Sequence, residues 1–312
     1  MKIKAITANL KTTFDILESC ELCPRRCRVN RLKGQMGFCK SGLKPVVYSW
    51  FSHRGEEPPI SGSRGSGTIF FTHCTMRCVY CQNYEFSQLS TGKEISIDEL
   101  AGIMLELQTQ GCHNINLVTP THFVPQILNA LLIASRGGLN IPIVYNTGGY
   151  DLVSTLKLME GVVDIYLPDM RYGNEESTKR FSNAPDYVKI NHQAIKEMFR
   201  QAGNLITDDE GVAKRGLIIR HLVLPSNISY SEKVFKFISE NVSKDVYVSL
   251  MSQYHPVYRA KEFPEINRSI TPKEYEAAFT AFLRYGLSNG WAQDINENID
   301  LSLLGTNIKK QC

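Results

Sequence analysis

The chain has 312 residues, 43% hydrophobic and 21% charged, a balance ordinary for a folded protein and too apolar for a disordered one. At roughly 150 residues per domain the length allows two domains, although one α/β barrel absorbs about 250 residues alone. Thirty-five basic against 31 acidic residues leave a formal charge of +4 with no long Lys/Arg run, which argues against a nucleic-acid partner.

No apolar stretch approaches the ~18 residues that span a bilayer. The first residues, MKIKAITANLKTTFDILESC, lack the continuous apolar core of an export signal. A cytoplasmic protein with no membrane contact is therefore expected. Residues 1–40 carry a first group of cysteines, and 52–67 (SHRGEEPPISGSRGSG) read as a linker or wrapping loop. From Gly67 on, strand and helix patterns alternate. Residues 68–72 (TIFFT) form an apolar strand, and Ser96 with Glu99 makes a capping box for a helix carrying Leu100, Ile103, Met104 and Leu107. Strand 115–118, a helix near 125–135, strand 141–145 and a helix capped by Asp151 follow. Strand 162–167, helical segments near 175–181 and 193–201, and strand 217–224 come next. A helix boxed by Ser229 and Glu232, strand 246–250 and a helix started by Thr271, Pro272 and Glu274 complete the pattern. About six strand–helix units imply an α/β fold with a parallel sheet, either doubly wound or a barrel.

Seven of the nine cysteines fall in the first 81 residues, and Cys112 and Cys312 stand alone. An odd count without an export signal disfavours a disulfide framework, so clustered thiols point to metal. Cys74-x3-Cys78-x2-Cys81 follows the first apolar strand. Three thiolates this close select an iron–sulfur cluster, zinc or Cu(I). A closed zinc site takes four ligands, and Cys112 is expected out of reach, because it precedes a strand whereas Cys74 follows one. Cys20, Cys23, Cys27 and Cys39 supply four further thiols, enough for a closed zinc site or a second iron–sulfur cluster. Arg25, Arg26 and Arg28 could offset its negative charge.

The C-x3-C-x2-C motif, with Tyr80 before the last cysteine, resembles that of the radical S-adenosylmethionine (SAM) enzymes. Over nearly the whole chain GSGTIFFTHCTMRCVYCQN, NINLVTPTHFVPQIL, VYNTGGYD, VDIYLPDMRYG, RHLVLP and LMSQYHP resemble the uncharacterised homologues of pyruvate formate-lyase-activating enzyme. The resemblance implies a partial (β/α)6 barrel over 67–312, preceded by a small cysteine-rich lobe over 1–66. It implies a 4Fe–4S cluster on Cys74, Cys78 and Cys81, leaving one iron for SAM, with reductive cleavage to a 5′-deoxyadenosyl radical. It also implies an electron donor such as a flavodoxin or ferredoxin.

The resemblance further implies SAM contacts from Tyr80, on which adenine would pack, and from Thr119, Thr121 and His122. These last residues stand where many relatives carry Gly-Gly-Glu. Asn146, Asp169, Arg171, Arg220 and His255 complete the set, with Arg220 in the barrel lumen and His221 structural. For the substrate it implies a glycyl-radical enzyme. Another protein residue, a small molecule, or a non-catalytic iron–sulfur electron carrier are the competing readings.

Overall fold

The computed structural model describes residues 2–293; Cys312 and the end of the 67–312 region lie outside them. Helix α1 (Lys2–Asp15) leads through the first cysteines to strand β1 (Val46–His53), the short helix α2 (Pro58–Ser61) and β2 (Ser66–Phe71). Then come α3 (Tyr84–Ser87), β3 (Lys93–Glu94), α4 (Ile97–Thr109), β4 (Ile115–Val118), α5 (Val124–Arg136), β5 (Ile143–Thr147), α6 (Val153–Leu158) and β6 (Ile165–Pro168). The chain continues through α7 (Glu175–Ser182), α8 (Tyr187–Ala202), β7 (Ile206–Thr207), β8 (Ala213–Leu222), α9 (Ser231–Asn241), β9 (Tyr247–Met251), α10 (Pro272–Arg284) and β10 (Gly290–Ala292). No described helix is long and apolar enough to cross a membrane.

The sheet runs β10-β9-β8-β6-β5-β4-β2-β1-β3, and its two ends do not pair. Strands β2, β4, β5, β6, β8, β9 and β10 are parallel, while β1 adds antiparallel to β2. The result is an α/β partial barrel of six strand–helix units, of the kind expected from the sequence. Side-chain alternation divides each strand between two layers. Ile69, Leu117, Tyr145, Tyr166 and Ile219 pack outward with the helices in the main core. Val144, Ile165, Leu167 and Ile218 pack inward around Ile60. Both faces being covered, β4, β5 and β6 are buried along their full length. The capping box of α4 forms as expected, and α10 starts at Thr271, Pro272 and Glu274 as expected, with a capping box of its own.

The structure corrects three local expectations. Residues 52–67 are not merely a linker. Their first two residues end β1, whose Val, Tyr, Trp and Phe side chains favour a pleated surface. Pro58 then starts α2, which carries the fully buried Ile60 into the barrel floor. Asp151 does not cap α6, whose N-cap is Leu152. Ser229 does not cap α9 either; the N-cap is Tyr230 in a left-handed conformation, with no side-chain cap bond. Ser229 instead accepts from the backbone of Leu224.

Ile60→Ala leaves a hole among side chains from three strands, β5, β6 and β8. We expect it to lower the unfolding free energy by about 2–5 kcal/mol, read by urea titration. A change within about 0.5 kcal/mol, typical of a surface site, would show that this segment does not close the barrel.

Candidate active site at the rim of the barrel

The loop after β2 turns sharply at His73, whose φ of 75° lies in the left-handed region. It is held from outside by the end of α7: the Arg77 and Val79 amides donate to Ser182 and Phe181 carbonyls at 2.9 and 2.8 Å. Each thiol has a local partner. Cys74 Sγ accepts from the Met76 amide, and the Ser182 hydroxyl donates to Cys78 Sγ at 3.0 Å. Cys81 Sγ lies 3.3 Å from the Ser87 hydroxyl. Burial, reinforced by Cys78 and Cys81, pushes the Cys74 thiol up to about 12. Burial and then Cys78 also raise Cys81. Arg171 opposes both shifts, and its Nε and the Met76 sulfur of this loop both lie within 4 Å of the position a Cβ on Gly148 would take, so its guanidinium faces the cysteine loop. Three soft donors carried on one short loop with a cation at hand suit an anionic sulfur-bound group. Its binding must displace thiol protons and draw the three sulfurs together, since among the described residues no three such side chains are placed as ligands of one ion.

Four of the residues picked out by resemblance meet at the ends of β5, β6 and β8. Arg220 donates from Nη2 to Asn146 Oδ1 at 2.6 Å and from Nε to Asp169 Oδ1 at 2.9 Å. The other Asp169 oxygen pairs with Arg171 Nη2. A parallel bridge between Asp169 and Arg220 extends the ladder to this point. Burial disfavours both cations, but Asp169 together with further neighbours (Cys78, Tyr80 and Tyr187 for Arg171, Glu57 and Glu56 for Arg220) holds both guanidiniums above their ordinary value. Arg171 Nε is buried without a hydrogen-bond partner. Gly149, at φ 73°, lets the β5–α6 turn pass against the Asp169 carbonyl and the Asn191 amide, where any Cβ would collide.

The 54–62 loop brings two residues that the sequence reading missed. Glu56 Oε2 lies 3.8 Å from Arg220 Nη1. Glu57 is buried, and burial raises its carboxyl although Arg220 lowers it. Glu57 Oε2 and Asn116 Oδ1 have no hydrogen-bond partner. The adjacent acids of RGEEPP were the available signal, and the linker reading concealed it.

Other expectations separate. Thr119 remains partly exposed at the rim, at φ 59°. Thr121 instead donates to Asp151 at 2.7 Å, and Tyr145 and Thr147 donate to the same carboxylate. That is the role of Asp151: a buried acceptor for three hydroxyls. His122 is 1% exposed, donates from Nε2 to the Thr72 carbonyl at 2.9 Å, and leaves Nδ1 unpartnered. It borders the N-terminal cysteines rather than the rim, because the helical turn starting at Thr121 rotates it behind the cysteine loop. Tyr80 is buried with its hydroxyl 2.6 Å from that of Tyr172 and its ring edge-on to Tyr254, within the wall behind Cys78. His255 lies in the loop after β9. Its Nδ1 is 3.4 Å from the Gln253 carbonyl, which accepts from Gln82 beside Cys81.

Cys20, Cys23, Cys27 and Cys39 surround one small cavity with Arg31, Gly37 and His122. Burial, then Cys39, Cys20 and Cys27, pushes the Cys23 thiol up to about 12. A Cβ on Gly37 would strike Cys27. Arg26 and Arg28 do not serve this group; both are exposed and pair with Glu21. The neighbouring cations are Arg31, whose Nη1 lies 3.9 Å from Cys20 Sγ, and Arg25, influenced by both Cys23 and Cys74. Cys112 lies buried beside Gly67 at the opposite strand ends, away from both groups, as expected.

Residues 68–207 match the model of the radical SAM superfamily. An uncharacterized protein of Methanocaldococcus jannaschii is 38% identical over 301 residues, covering 92% of this chain and 81% of that protein. The chain belongs to the radical SAM superfamily. Among solved structures, anSMEcpe with bound AdoMet is 14% identical at a TM-score of 0.45, covering 70% of this chain and 61% of that one. The FeFe-hydrogenase maturase HydG from Carboxydothermus hydrogenoformans is 13% identical at 0.46, covering 75% and 55%. Membership of the superfamily implies a 4Fe–4S cluster and SAM, and the three thiols beside Arg171 fit that pair.

His221 tests the partition of β8 into inward and outward faces. Opposite Arg220, it donates from Nδ1 to the Met170 carbonyl and accepts at Nε2 from Ser231. Burial lowers its pKa to about 4, against 6.5 in an unfolded chain. The unfolded chain binds more protons between these values, so this stability is complete above pH 6.5 and is lost as pH falls toward 4. We expect His221→Gln to flatten the pH dependence of unfolding by up to about 1.4 kcal/mol per pH unit in that window, read from urea midpoints. An unchanged slope would mean that the ring is not held neutral.

Proposed function

We propose that the array of Asn146, Asp169, Arg171 and Arg220 beside Cys74, Cys78 and Cys81 binds SAM for reductive cleavage and hydrogen abstraction. When bound, the cluster supplies one electron to SAM, whose cleavage yields the 5′-deoxyadenosyl radical. The observation that carries this reading is the unpartnered Arg171 Nε next to the three thiols. A guanidinium already paired through Nη2 keeps a donor for a carboxylate such as that of the SAM methionine end. Asp169, paired with one guanidinium at each oxygen, orients both. Thr119 is retained as a rim contact and His255 as a neighbour on the far side. The polar floor of Glu57 and Asn116 favours a substrate that donates hydrogen bonds, and the covered lumen excludes water from a reactive radical.

The substrate class that the sequence resemblance supports is a glycyl-radical enzyme, with modification of another protein residue or a small molecule as the second reading. A cytoplasmic site of action and a flavodoxin- or ferredoxin-type reductant belong to the same proposal.

Asp169→Ala and Arg220→Ala should each weaken SAM binding by about tenfold or more, the scale of one hydrogen bond to a charged group, with iron content unchanged. Anaerobic equilibrium binding decides this; affinity close to that of the unmodified chain in both variants would misplace the SAM site. Cys74→Ala, Cys78→Ala or Cys81→Ala should abolish formation of 5′-deoxyadenosine, and full cleavage in the triple variant would remove the reading altogether.

The second part of the proposal is a metal centre on Cys20, Cys23, Cys27 and Cys39, either zinc or an iron–sulfur cluster. Four thiols around one cavity, with the other three raising that of Cys23 and with Gly37 at close approach, support it. Among the described residues no three Cys, His, Asp or Glu side chains converge as the ligands of one ion. Loading therefore requires the side chains to turn inward. Cys20→Ala with Cys23→Ala should remove one metal centre while SAM cleavage chemistry at Cys74, Cys78 and Cys81 keeps its iron. Metal analysis with absorption spectroscopy separates zinc from iron, and unchanged metal content would refute the centre.

A further inference from the structure

The outer side of the Cys74–Cys81 loop forms the floor of a surface depression. Arg77 and Val79, the residues flanking Cys78, line it, as do Gln88, Lys40, Arg180 and Arg259. Gln88 donates to the Cys78 carbonyl at 2.8 Å, so the floor lies directly behind a cluster thiol. Lys40 follows Cys39, so the wall also abuts the N-terminal cysteines. The seam between the two groups is tight: the Arg25 guanidinium lies 3.7 Å from the Phe38 ring centroid and that of Arg77 4.7 Å, while Arg77 also donates to the Phe38 carbonyl.

Four cations surround the depression, and none of its lining residues is acidic. Arg180 pairs with Glu265 and Arg259 with Glu262, but both keep half of their side chains exposed. Lys40 and Arg77 have no carboxylate in salt-bridge range among the described residues. An acidic surface is the complement of such a face, and opposite charge accelerates encounter.

We propose that this depression docks an acidic one-electron carrier protein of the ferredoxin class. The inference rests on the radical SAM reading and adds where its electron arrives. Geometry separates this occupant from a substrate. A hydrogen atom must be taken inside the lumen, on the inner side of the loop. An electron has only to cross the loop's own backbone at Cys78. In each transfer the carrier's iron–sulfur centre is oxidised by one electron and the cluster on the three cysteines is reduced by one; no proton or leaving group moves at this surface.

The test compares 5′-deoxyadenosine formation driven by reduced ferredoxin with that driven by dithionite, at low and high salt. The variants are Lys40→Glu and Arg180→Glu, singly and together; neither residue is assigned to SAM or the cluster. The expected result for the double variant is a fall of about tenfold or more in the ferredoxin-driven initial rate at low salt, with reduced salt sensitivity and an unchanged dithionite-driven rate. Unchanged rates with both reductants would overturn the docking site, and so would equal losses with both, since these would place the residues in the site's own structure. Absence of dithionite-driven cleavage in the unmodified chain would instead remove the radical SAM reading on which the inference stands.

Discussion

Asp169 sits between two guanidiniums in a largely buried setting, and the rim of the barrel is organised around that placement. A carboxylate shielded from water is costly unless its oxygens are matched, and removing one member of such an array leaves an unpaired charge behind. Here one oxygen meets Arg220 and the other Arg171. Arg220 in turn fixes Asn146 and faces Glu56. The Asp169 carbonyl is held by Asn191 and Tyr187 from α8. Three strand ends, one helix and the loop from below are thus tied to one acid. The same network sets Arg171 beside the cysteine loop, so strand register and the electrostatics of the thiols are not independent.

Strand identity was legible because both sheet faces are covered and the apolar runs are continuous. At β8 the sequence also yielded the facing: Arg220 and His221 interrupt one run, and alternation sends one into the lumen and the other to α9. The three-thiol loop was legible because ligand spacing is local. The failures share a different cause. Asp151 looked like a helix cap because Asp commonly is one, but its three hydroxyl partners come from the end of β5 and from the turn after β4. His122 and Thr121 were assigned by motif position, whereas their directions depend on the turn after Pro120. Glu56 and Glu57 reach the site only because Ile60 anchors their segment in the barrel floor, a contact across more than a hundred residues of sequence.

The N-terminal cysteines and the rim share a wall. His122 connects the Thr72 carbonyl, at the end of β2, to the cavity of the four thiols, and its own carbonyl accepts from the buried Arg31. Ser41, two residues after Cys39, lies 3.1 Å from the His73 ring next to Cys74. Arg25 reaches the Thr75 carbonyl from the other side. A shift in the N-terminal loop therefore pushes directly on the backbone that aims Cys74.

The position of Ile60 also governs the order in which the molecule can be assembled. Its inward neighbours lie on β5, β6 and β8, with Ile218 the most distant in sequence. A chain emerging from the ribosome makes the plug first and the last of its socket about 150 residues later. Until β8 is made, Ile60, Val144, Ile165 and Leu167 lack their full complement of apolar neighbours. Such long-range closure slows folding and prolongs exposure of sticky intermediates. It also means that the segment before Gly67 is no interchangeable cassette: a barrel severed there would lose its floor along with the four N-terminal cysteines.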